Sequence, residues 1–393
     1  MKRWIRAAAF LTATVLTLGG CGSAKYEYIP AEDRIALQGS QGGEEPVIVI
    51  GETSGNDGVI VLEPGTAQKT VQTDEGKATL LFGGDVLLSQ HVLNAYQKGG
   101  GIGGVLDAGY REAIDTADFF MVNQEFPFSS RGTAAEDKQY TFRLPPDRVS
   151  MFLEMGIDAV TLANNHALDF GTDALLDTCD TLDTAGILHT GAGADLDKAK
   201  KPVIAELEGI RVGILGATRV IPEAGWAAGK NHPGMLATYD AAAALEEIRR
   251  LRTECDYVVV MVHWGIEREE KPKDYQRTLG QQYIDAGADL VVGSHPHVLQ
   301  GIEYYQGKPI VYSLGNFVFG SSIPKTALLQ VTLSKGEEGD GILSGFRLIP
   351  GTSGAGFTRR LTDEGELRAF YEYIENISFG VSLDSWGGMI PGA

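Results

Sequence analysis

Short apolar runs of strand length alternate with helix-like stretches along most of the chain after residue 77. The apolar runs are Ala78–Phe82, Phe119–Val122, Ala159–Leu162, Val203–Leu207, Arg211–Leu215, Tyr257–Val262, Leu290–Val292 and Ile310–Tyr312. The helix-like stretches include Pro146–Met155, Thr172–Ala185, Asp240–Arg252 and Tyr275–Ala286. Strands this uniformly apolar belong in sheets that are covered on both faces. The pattern therefore predicts an α/β fold, a layered β-sandwich flanked by helices.

The first twenty residues have the pattern of an export signal. A basic start precedes an apolar run from Ala7 to Leu18, which is shorter than the roughly 20 residues of a spanning helix. The following Leu18-Gly19-Gly20-Cys21 resembles the bacterial lipobox. We therefore expect residues 1–20 to be a lipoprotein signal peptide and Cys21 to carry a lipid. That lipid would anchor the chain at the bacterial cell surface, on the outer face of the cytoplasmic membrane. An ordinary cleaved signal or an uncleaved anchor is the alternative.

Composition separates the rest of the chain into three segments. Residues 21–76 are rich in Gly, Ser, Thr and acidic residues, which predicts a flexible polar tether. Residues 77–335 hold the α/β pattern and form the predicted domain. Residues 336–393 are expected to extend the same domain with strands and a helix at Glu364–Ile377. The chain is expected to lack regular structure from Ser378.

The chain is acidic, with 33 Lys and Arg against 52 Asp and Glu and a formal net charge of -19. A phosphate backbone attracts basic surfaces, so this balance excludes nucleic acid as the main partner. The 3 Cys are too few for a disulfide scaffold. Cys179 and Cys255 are expected to be free thiols, although their spacing leaves a pairing open.

Polar, metal-capable side chains follow six of the apolar runs. They lie in Gly84-Asp85, Asn123-Gln124-Glu125, Asn164-Asn165-His166, His263-Trp264, His295-Pro296-His297 and Gly315-Asn316. Ligands of open α/β sheets bind beyond the carboxyl ends of the strands. Carboxylate and amide oxygens combined with imidazole nitrogens suit Mn, Fe, Zn or a similar ion. Two such ions about 3.5–4 Å apart clamp a phosphate, so the pattern predicts a site for one or two divalent metals.

Two local patterns refine this site. His295 and His297 stand two residues apart, and in an extended segment both imidazoles would face one centre. Asp169 follows His166 by three residues and is placed to orient the imidazole, with a helix N-cap as its alternative role.

Four further residues are expected to contact a substrate near the metal ligands. They are Asn164, Glu267, Arg143 and Asn316. Arg143 offers bidentate geometry to a phosphate or carboxylate. The alternative for Glu267 is a solvated surface position.

Together, these motifs resemble the bacterial CapA family, which is associated with poly-γ-glutamate production and export. The resemblance covers about residues 78–319. It rests on Gly84-Asp85, Asn123-x-Glu125, Ala163-Asn164-Asn165-His166-x-x-Asp169-x-Gly171, His263-Trp264-Gly265-x-Glu267, Gly287-Ala288-Asp289, Gly293-x-His295-Pro296-His297-Val298-x-Gln300 and Tyr312-Ser313-Leu314-Gly315-Asn316-Phe317. The family is in turn similar to calcineurin-like metallophosphoesterases, which implies a fold of that kind.

The resemblance also implies roles for individual residues. The implied metal ligands are Asp85, Glu125, Asn165, His263, His295 and His297. His166, oriented by Asp169, would protonate the leaving group. Two positions depart from the phosphoesterase pattern: Leu87 stands where a His is usual, so that His91 or another residue would have to replace it, and Glu125 replaces the bridging Asp.

The implied function is that of a membrane-anchored CapA-type protein in a poly-γ-glutamate synthase or export complex. Its site would hydrolyse or transfer a phosphoester or amide-like group with the help of metal. A non-catalytic factor that binds the anionic polymer is the first alternative, and Leu87 favours it. A surface nucleotidase or phosphatase is the second, but the roughly 60 residues after Leu333 leave little room for its usual specificity domain.

Overall fold

A computed structural model describes residues 76–136, 138–336 and 342–392 of the chain. The predicted signal peptide, Cys21 and the tether up to residue 75 lie outside the described residues. Within the described ranges, no helix is both long and apolar enough to cross a membrane.

The described residues form strands and helices in alternation. The strands are β1 (Lys77–Val86), β2 (Phe119–Gln124), β3 (Ala159–Thr161), β4 (Leu188–Thr190), β5 (Ala192–Gly193), β6 (Val203–Leu207), β7 (Ile210–Thr218), β8 (Gly234–Met235), β9 (Tyr257–His263), β10 (Leu290–Ser294), β11 (Leu299–Tyr305), β12 (Lys308–Leu314), β13 (Asn316–Val318), β14 (Ser322–Lys335), β15 (Ile342–Gly354), β16 (Phe357–Arg360), β17 (Val381–Leu383) and β18 (Met389–Pro391). The helices are α1 (Gln90–Gly99), α2 (Ala108–Asp115), α3 (Val149–Glu154), α4 (Thr172–Ala185), α5 (Leu196–Ala199), α6 (Ala242–Glu254), α7 (Asp274–Ala286) and α8 (Glu364–Ile377). Short 3₁₀ turns lie at Ile102–Gly104, Pro146–Arg148 and Ala224–Trp226.

Two large sheets make up the centre of the fold. The first has the order β16-β15-β14-β1-β2-β3-β4, with β13 paired to the end of β1, and the second has the order β11-β12-β10-β9-β7-β6. Strands β1 to β4 are parallel in the first sheet, and β7, β9, β10 and β12 are parallel in the second. The other strands of these sheets are antiparallel additions, apart from β13, which runs parallel to β1.

Apolar side chains fill the space between the sheets and cover both outer faces. Leu80 of β1 and Val259 of β9 belong to the core between the sheets. The alternate residue Leu81 points to the outer face, where α1 to α4 contribute side chains such as Phe152. Helices α6 and α7 cover the other sheet. The layered α/β sandwich flanked by helices, predicted from the sequence, is confirmed.

The C-terminal residues join the first sheet and close its core. Strand β15 and helix α8 supply the strand and the helix predicted for this segment, and α8 has the predicted bounds. The expectation of irregular structure after Ser378 is wrong, because β17 and β18 pair with each other. Burial explains this: Val381 and Met389 pack against the core between the sheets.

A close backbone contact fixes the end of β1. A Cβ atom at Gly84 would lie 1.8 Å from the carbonyl oxygen of Gly315, so no larger residue fits there. The amide of Asp85 donates to that same oxygen at 2.8 Å. Glycine at position 84 thus lets the strand end, and the carboxylate that follows it, lie against the loop after β12.

Candidate metal centre

The six predicted metal ligands converge at the carboxyl ends of the parallel strands. Those of the first sheet are Asp85 near the end of β1, Glu125 after β2 and Asn165 after β3; those of the second are His263 at the end of β9 and His295 and His297 after β10. The amide oxygen of Asn165 lies 2.8 Å from Nε2 of His263, which joins the two sheets directly. Both sheets therefore supply ligands to one site.

The potential ligand atoms form two groups that share Glu125. One group is Glu125, His263 and His295, and the other is Asp85, Glu125 and His297. Within each group, all ligand atoms lie within 4.8 Å of one another. This arrangement has room for one ion, or for two ions that share the Glu125 carboxylate.

Glu125 shows most directly that the site fits a cation. Its side chain is fully buried, and neither carboxylate oxygen has a hydrogen-bond partner. Burial, and then the charge of Asp85, raise its pKa well above the usual range. An unsatisfied buried group costs on the order of 1–3 kcal/mol, and more when it is charged. A divalent ion would satisfy both oxygens, and the O/N donor set suits Mn, Fe or Zn.

The three imidazoles of the site differ in their electrostatic environment. Burial, and then the neighbouring His295, lower the pKa of His263 well below its usual range. Burial, and then His297, lower the pKa of His295 to about 4. For His297, burial opposes the charged form, but Glu125 and Asp85 outweigh it and raise the pKa to about 10. Two of the three imidazoles are therefore neutral, as metal ligation requires.

The segment with His295 and His297 departs from the predicted geometry. Both residues have positive φ, 99° and 58°, so the segment is not extended. Their ring centroids are 5.9 Å apart, and the two rings belong to different ligand groups. Positive φ is costly for residues with a side chain and is found mainly where the surroundings impose it. The expectation of an extended segment is wrong, but both rings still face one site, where each lies near Glu125.

Buried amides hold the ligands in place. Asn123 donates from Nδ2 to Asp85 at 2.8 Å and accepts from Nδ2 of Asn164 at 3.0 Å. Asn164 also donates to the carbonyl oxygen of Gln124 at 2.7 Å, which occupies both hydrogens of its amide. The predicted contact of Asn164 with substrate would therefore have to use its amide oxygen as an acceptor.

Asn316 lies beside the second ligand group. Its amide oxygen is 2.8 Å from Nδ1 of His297, so it orients that imidazole. The sequence predicted a substrate contact for Asn316, and the structure adds this contact with a ligand residue.

His166, Asp169 and Lys138 form a cluster next to the ligands. Nδ1 of His166 lies 2.7 Å from Oδ2 of Asp169, and that oxygen also accepts from the amide of Phe142 at 2.6 Å. Asp169 is not a helix N-cap, because Gly171 occupies that position of α4. Burial lowers the pKa of His166. The predicted orientation of His166 by Asp169 is thus present in the geometry.

Lys138 is the residue of this cluster that the sequence did not indicate. Its Nζ contacts Asp169, the backbone oxygen of Asn165 and, at 3.0 Å, Nδ1 of His166. It lies in the long loop between β2 and α3, where no strand or helix pattern predicts the direction of a side chain. Its one sequence signal is its position five residues before Arg143.

The other predicted residues lie at different distances from the ligands. Glu267 is exposed, and its charge is among those that act on Glu125 and Lys138. Arg143 is exposed, donates to the backbone oxygen of Arg131 at 2.7 Å and stacks on a Phe ring. The structure shows no contact of Arg143 with the ligands among the described residues.

Leu87, which stands where the resemblance implied a His, is a core residue. Leu87 is 4% exposed and packs under the helices of the first sheet. His91 lies on α1, is exposed, and belongs to neither ligand group. The second group therefore rests on two carboxylates and one imidazole. Elsewhere, the thiols of Cys179 and Cys255 are buried and unpaired.

The fold and the site together define a class: a two-sheet α/β sandwich with a candidate divalent-metal centre at the carboxyl ends of its strands. Residues 79–321 match the family described as bacterial capsule synthesis protein PGA_cap. The chain belongs to this family, which confirms the CapA resemblance predicted from the motifs.

Relatives and a solved structure place the chain further. It is 35% identical over 264 residues to the PGA biosynthesis protein CapA of Bacillus subtilis, covering 66% of this chain and 68% of that one. It is 33% identical over 270 residues to the capsule biosynthesis protein CapA of Bacillus anthracis, covering 65% and 64%. The chain thus spans about two thirds of the length of these relatives. The protein TT1561 of Thermus thermophilus is similar with a TM-score of 0.36 and 12% identity, covering 64% of this chain and 93% of that one, a likeness too weak to support a conclusion.

Replacement of the Glu125 carboxylate gives a first prediction. In EDTA, we expect Glu125→Gln to raise the free energy of unfolding by about 1–3 kcal/mol, because it removes a buried carboxylate that lies beside Asp85 and accepts no hydrogen bond. The same variant loses Mn binding, since both ligand groups use this carboxylate. Urea unfolding and Mn titration measure the two effects. Glu267→Gln, at an exposed acid, is the control and changes the stability little; a loss of stability of Glu125→Gln in EDTA would contradict the interpretation.

Lys138 gives a second prediction. Asp169 is fully buried and Lys138 is its cationic partner, with a side chain only 14% exposed. Removing one partner of a buried pair leaves an uncompensated charge, so Lys138→Met should lower the free energy of unfolding by about 3 kcal/mol. Lys200→Met, which removes an exposed pair with Asp197 at 3.1 Å, should cost less than about 0.5 kcal/mol. Equal urea midpoints for the two variants would refute a structural role of Lys138.

Proposed function

We propose that the chain is a lipid-anchored, extracytoplasmic protein that acts in the synthesis or export of poly-γ-glutamate and carries a metal-dependent hydrolytic site. Membership of the capsule synthesis family and the names of the Bacillus relatives support the polymer. The observation that carries the hydrolytic part is the buried Glu125 carboxylate, which lacks any hydrogen bond and lies within ligand distance of three imidazoles.

The ligands and the chemistry that they support follow from the two groups. Asp85, Glu125, Asn165, His263, His295 and His297 would hold the metal, one or two ions of the Mn, Fe or Zn type. Bound there, it would supply Lewis-acid polarisation to a phosphoester or amide-like group of the substrate. The donor set supports this assignment, because it combines the hard and borderline ligands of known hydrolytic centres.

His166 is placed to move a proton at this site. Its Nδ1 faces Asp169, which leaves Nε2 as the ring nitrogen that would donate to a leaving group. Asp169 holds the ring, and Lys138 in turn holds Asp169. Burial favours the neutral imidazole, so Nε2 would first accept the proton of the attacking water and then give it to the leaving group, which returns the ring to its neutral form.

The polymer itself gives the test of activity. We expect Mn-loaded protein to shorten poly-γ-glutamate, followed by the decrease of chain length on gels. His166→Ala should lower the rate by about 10²–10⁴-fold, the usual contribution of a general acid, while Mn stoichiometry stays unchanged. His91→Ala, on an exposed helix face, is the matched control and should keep the full rate.

The outcomes of this test separate the hydrolytic site from its alternatives. Full turnover by His166→Ala would refute the acid role. Metal-loaded protein that binds the polymer in co-sedimentation, yet never shortens it, would refute hydrolysis and identify a polymer-binding factor. Turnover of generic phosphodiesters without any effect on the polymer would point to a surface phosphatase.

The location at the membrane is tested separately. The basic and apolar start, followed by Leu18-Gly19-Gly20-Cys21, supports lipidation and export. Cys21→Ser should move the protein from the membrane fraction to the soluble or secreted fraction, as immunoblots of cell fractions would measure. Cys179→Ser, at a buried thiol, is the control and should stay with the membrane. An unchanged distribution of Cys21→Ser would exclude the lipid anchor.

A further inference from the structure

A second polar cavity lies far from the metal centre, on the helix-covered face of the first sheet. Its volume is about 270 Å³. Its polar lining consists of Thr79, Glu112, Thr116, Gln330, Arg347 and Arg360. Thr79 lies near the beginning of β1 and Asp85 near its end, six residues later, which separates the cavity from the metal ligands by about 20 Å along the strand.

Strand register explains how the polar lining comes together. Gln330 of β14 is paired with Arg347 of β15. Each lies two residues from a neighbour that faces the helices, Leu328 and Ile349, and so points to the same face. Arg360 ends the next strand, β16. Glu112 of helix α2 lines the cavity on the side opposite the strands. The arginines thus project from neighbouring strands into one space.

The two arginines are half-buried and, among the described residues, lack a carboxylate partner. Nε of Arg347 is buried and has no hydrogen-bond partner. Over residues 76–136, 138–336 and 342–392, neither Arg347 nor Arg360 forms a salt bridge with a carboxylate within 4.0 Å. Burial, and then the charge of Arg360, lower the pKa of Arg347, which shows that the two guanidinium groups repel each other. Natural proteins pair such groups, so an unpaired couple around a cavity requires an explanation.

We infer that this cavity binds one oxyanion group, a carboxylate or a phosphate, between Arg347 and Arg360. Guanidinium groups bind both kinds of oxyanion in bidentate geometry. The cavity is below the usual range of pockets for drug-sized ligands, so it takes a small charged group rather than a whole nucleotide. The site uses no residue of the metal centre and does not depend on the function proposed for that centre.

Glu112 is the group that opposes this binding. It is exposed and lines the same cavity, where its negative charge would repel a bound oxyanion. Asp384 also acts on Arg347 through its charge, without a direct salt bridge among the described residues. Glu112→Gln should therefore increase the affinity for the oxyanion.

Thermal unfolding of the full chain in EDTA and a chloride buffer tests the inference. We expect the Tm to rise by about 2 °C for each tenfold increase of phosphate above its Kd. Arg347→Met and Arg360→Met should each lose this rise, and Arg347→Met should fold well, since it removes an unsatisfied buried group. Because phosphate stabilises many proteins by exclusion from their surface, the measured quantity is the difference from wild type.

Arg359→Met is the matched control. Arg359 is the neighbour of Arg360 on the same strand, points the opposite way and pairs with Glu366 at 3.2 Å. It should keep the full phosphate-dependent rise. The same titration with γ-glutamylglutamate identifies the source of the oxyanion. A rise of the Tm with phosphate alone, with the dipeptide alone or with both supports the site. Which ligand gives the rise distinguishes a phosphate from a polymer carboxylate. The inference is overturned if neither ligand shifts the Tm, or if both arginine variants respond like the wild type.

Discussion

The packing of two sheets face to face determines where everything else in this protein lies. Residues such as Leu80 and Val259 bury the inner faces of the sheets against each other. The parallel strands of both sheets thereby end at one common edge, where the 2.8 Å contact of Asn165 with His263 joins them. Residues in the loops that follow these strands reach the common edge even with short side chains. The candidate metal centre is therefore a consequence of the sandwich, and a shift of one sheet against the other would separate the two halves of the ligand set.

The centre is unfavourable on its own and depends on the rest of the fold. Glu125 is buried without a hydrogen bond, and His295 and His297 have strained backbones. Each such feature costs on the order of 1–3 kcal/mol. Three apolar cores, one between the sheets and one on each outer face, supply the compensating stability. Local rules of sequence and structure are broken here together, which is typical of functional sites.

The sequence predicted those features that depend on a local pattern. Strand ends could be located from apolar periodicity, and the positions of Asp85 and His263 followed from them. The bounds of α8 were predicted because its apolar face and its N-terminal Asp363 are both local signals. Lys138 was missed, because the path of a long loop is set by tertiary packing. The backbone of His295 was mispredicted for the same reason, since no local signal encodes a positive φ at a residue with a side chain.

The acidity of the chain constrains how an anionic ligand could bind to it. With a net charge of -19, the surface as a whole repels a polyanion, but at physiological salt this repulsion is screened beyond about 8 Å. Binding must then arise from discrete cationic points. A divalent ion among Asp85, Glu125 and the imidazoles would reverse the local sign at one end of the first sheet. The unpaired Arg347 and Arg360 are positive at the other end. A polyanion would be attracted at these two points and repelled by the acidic surface between them.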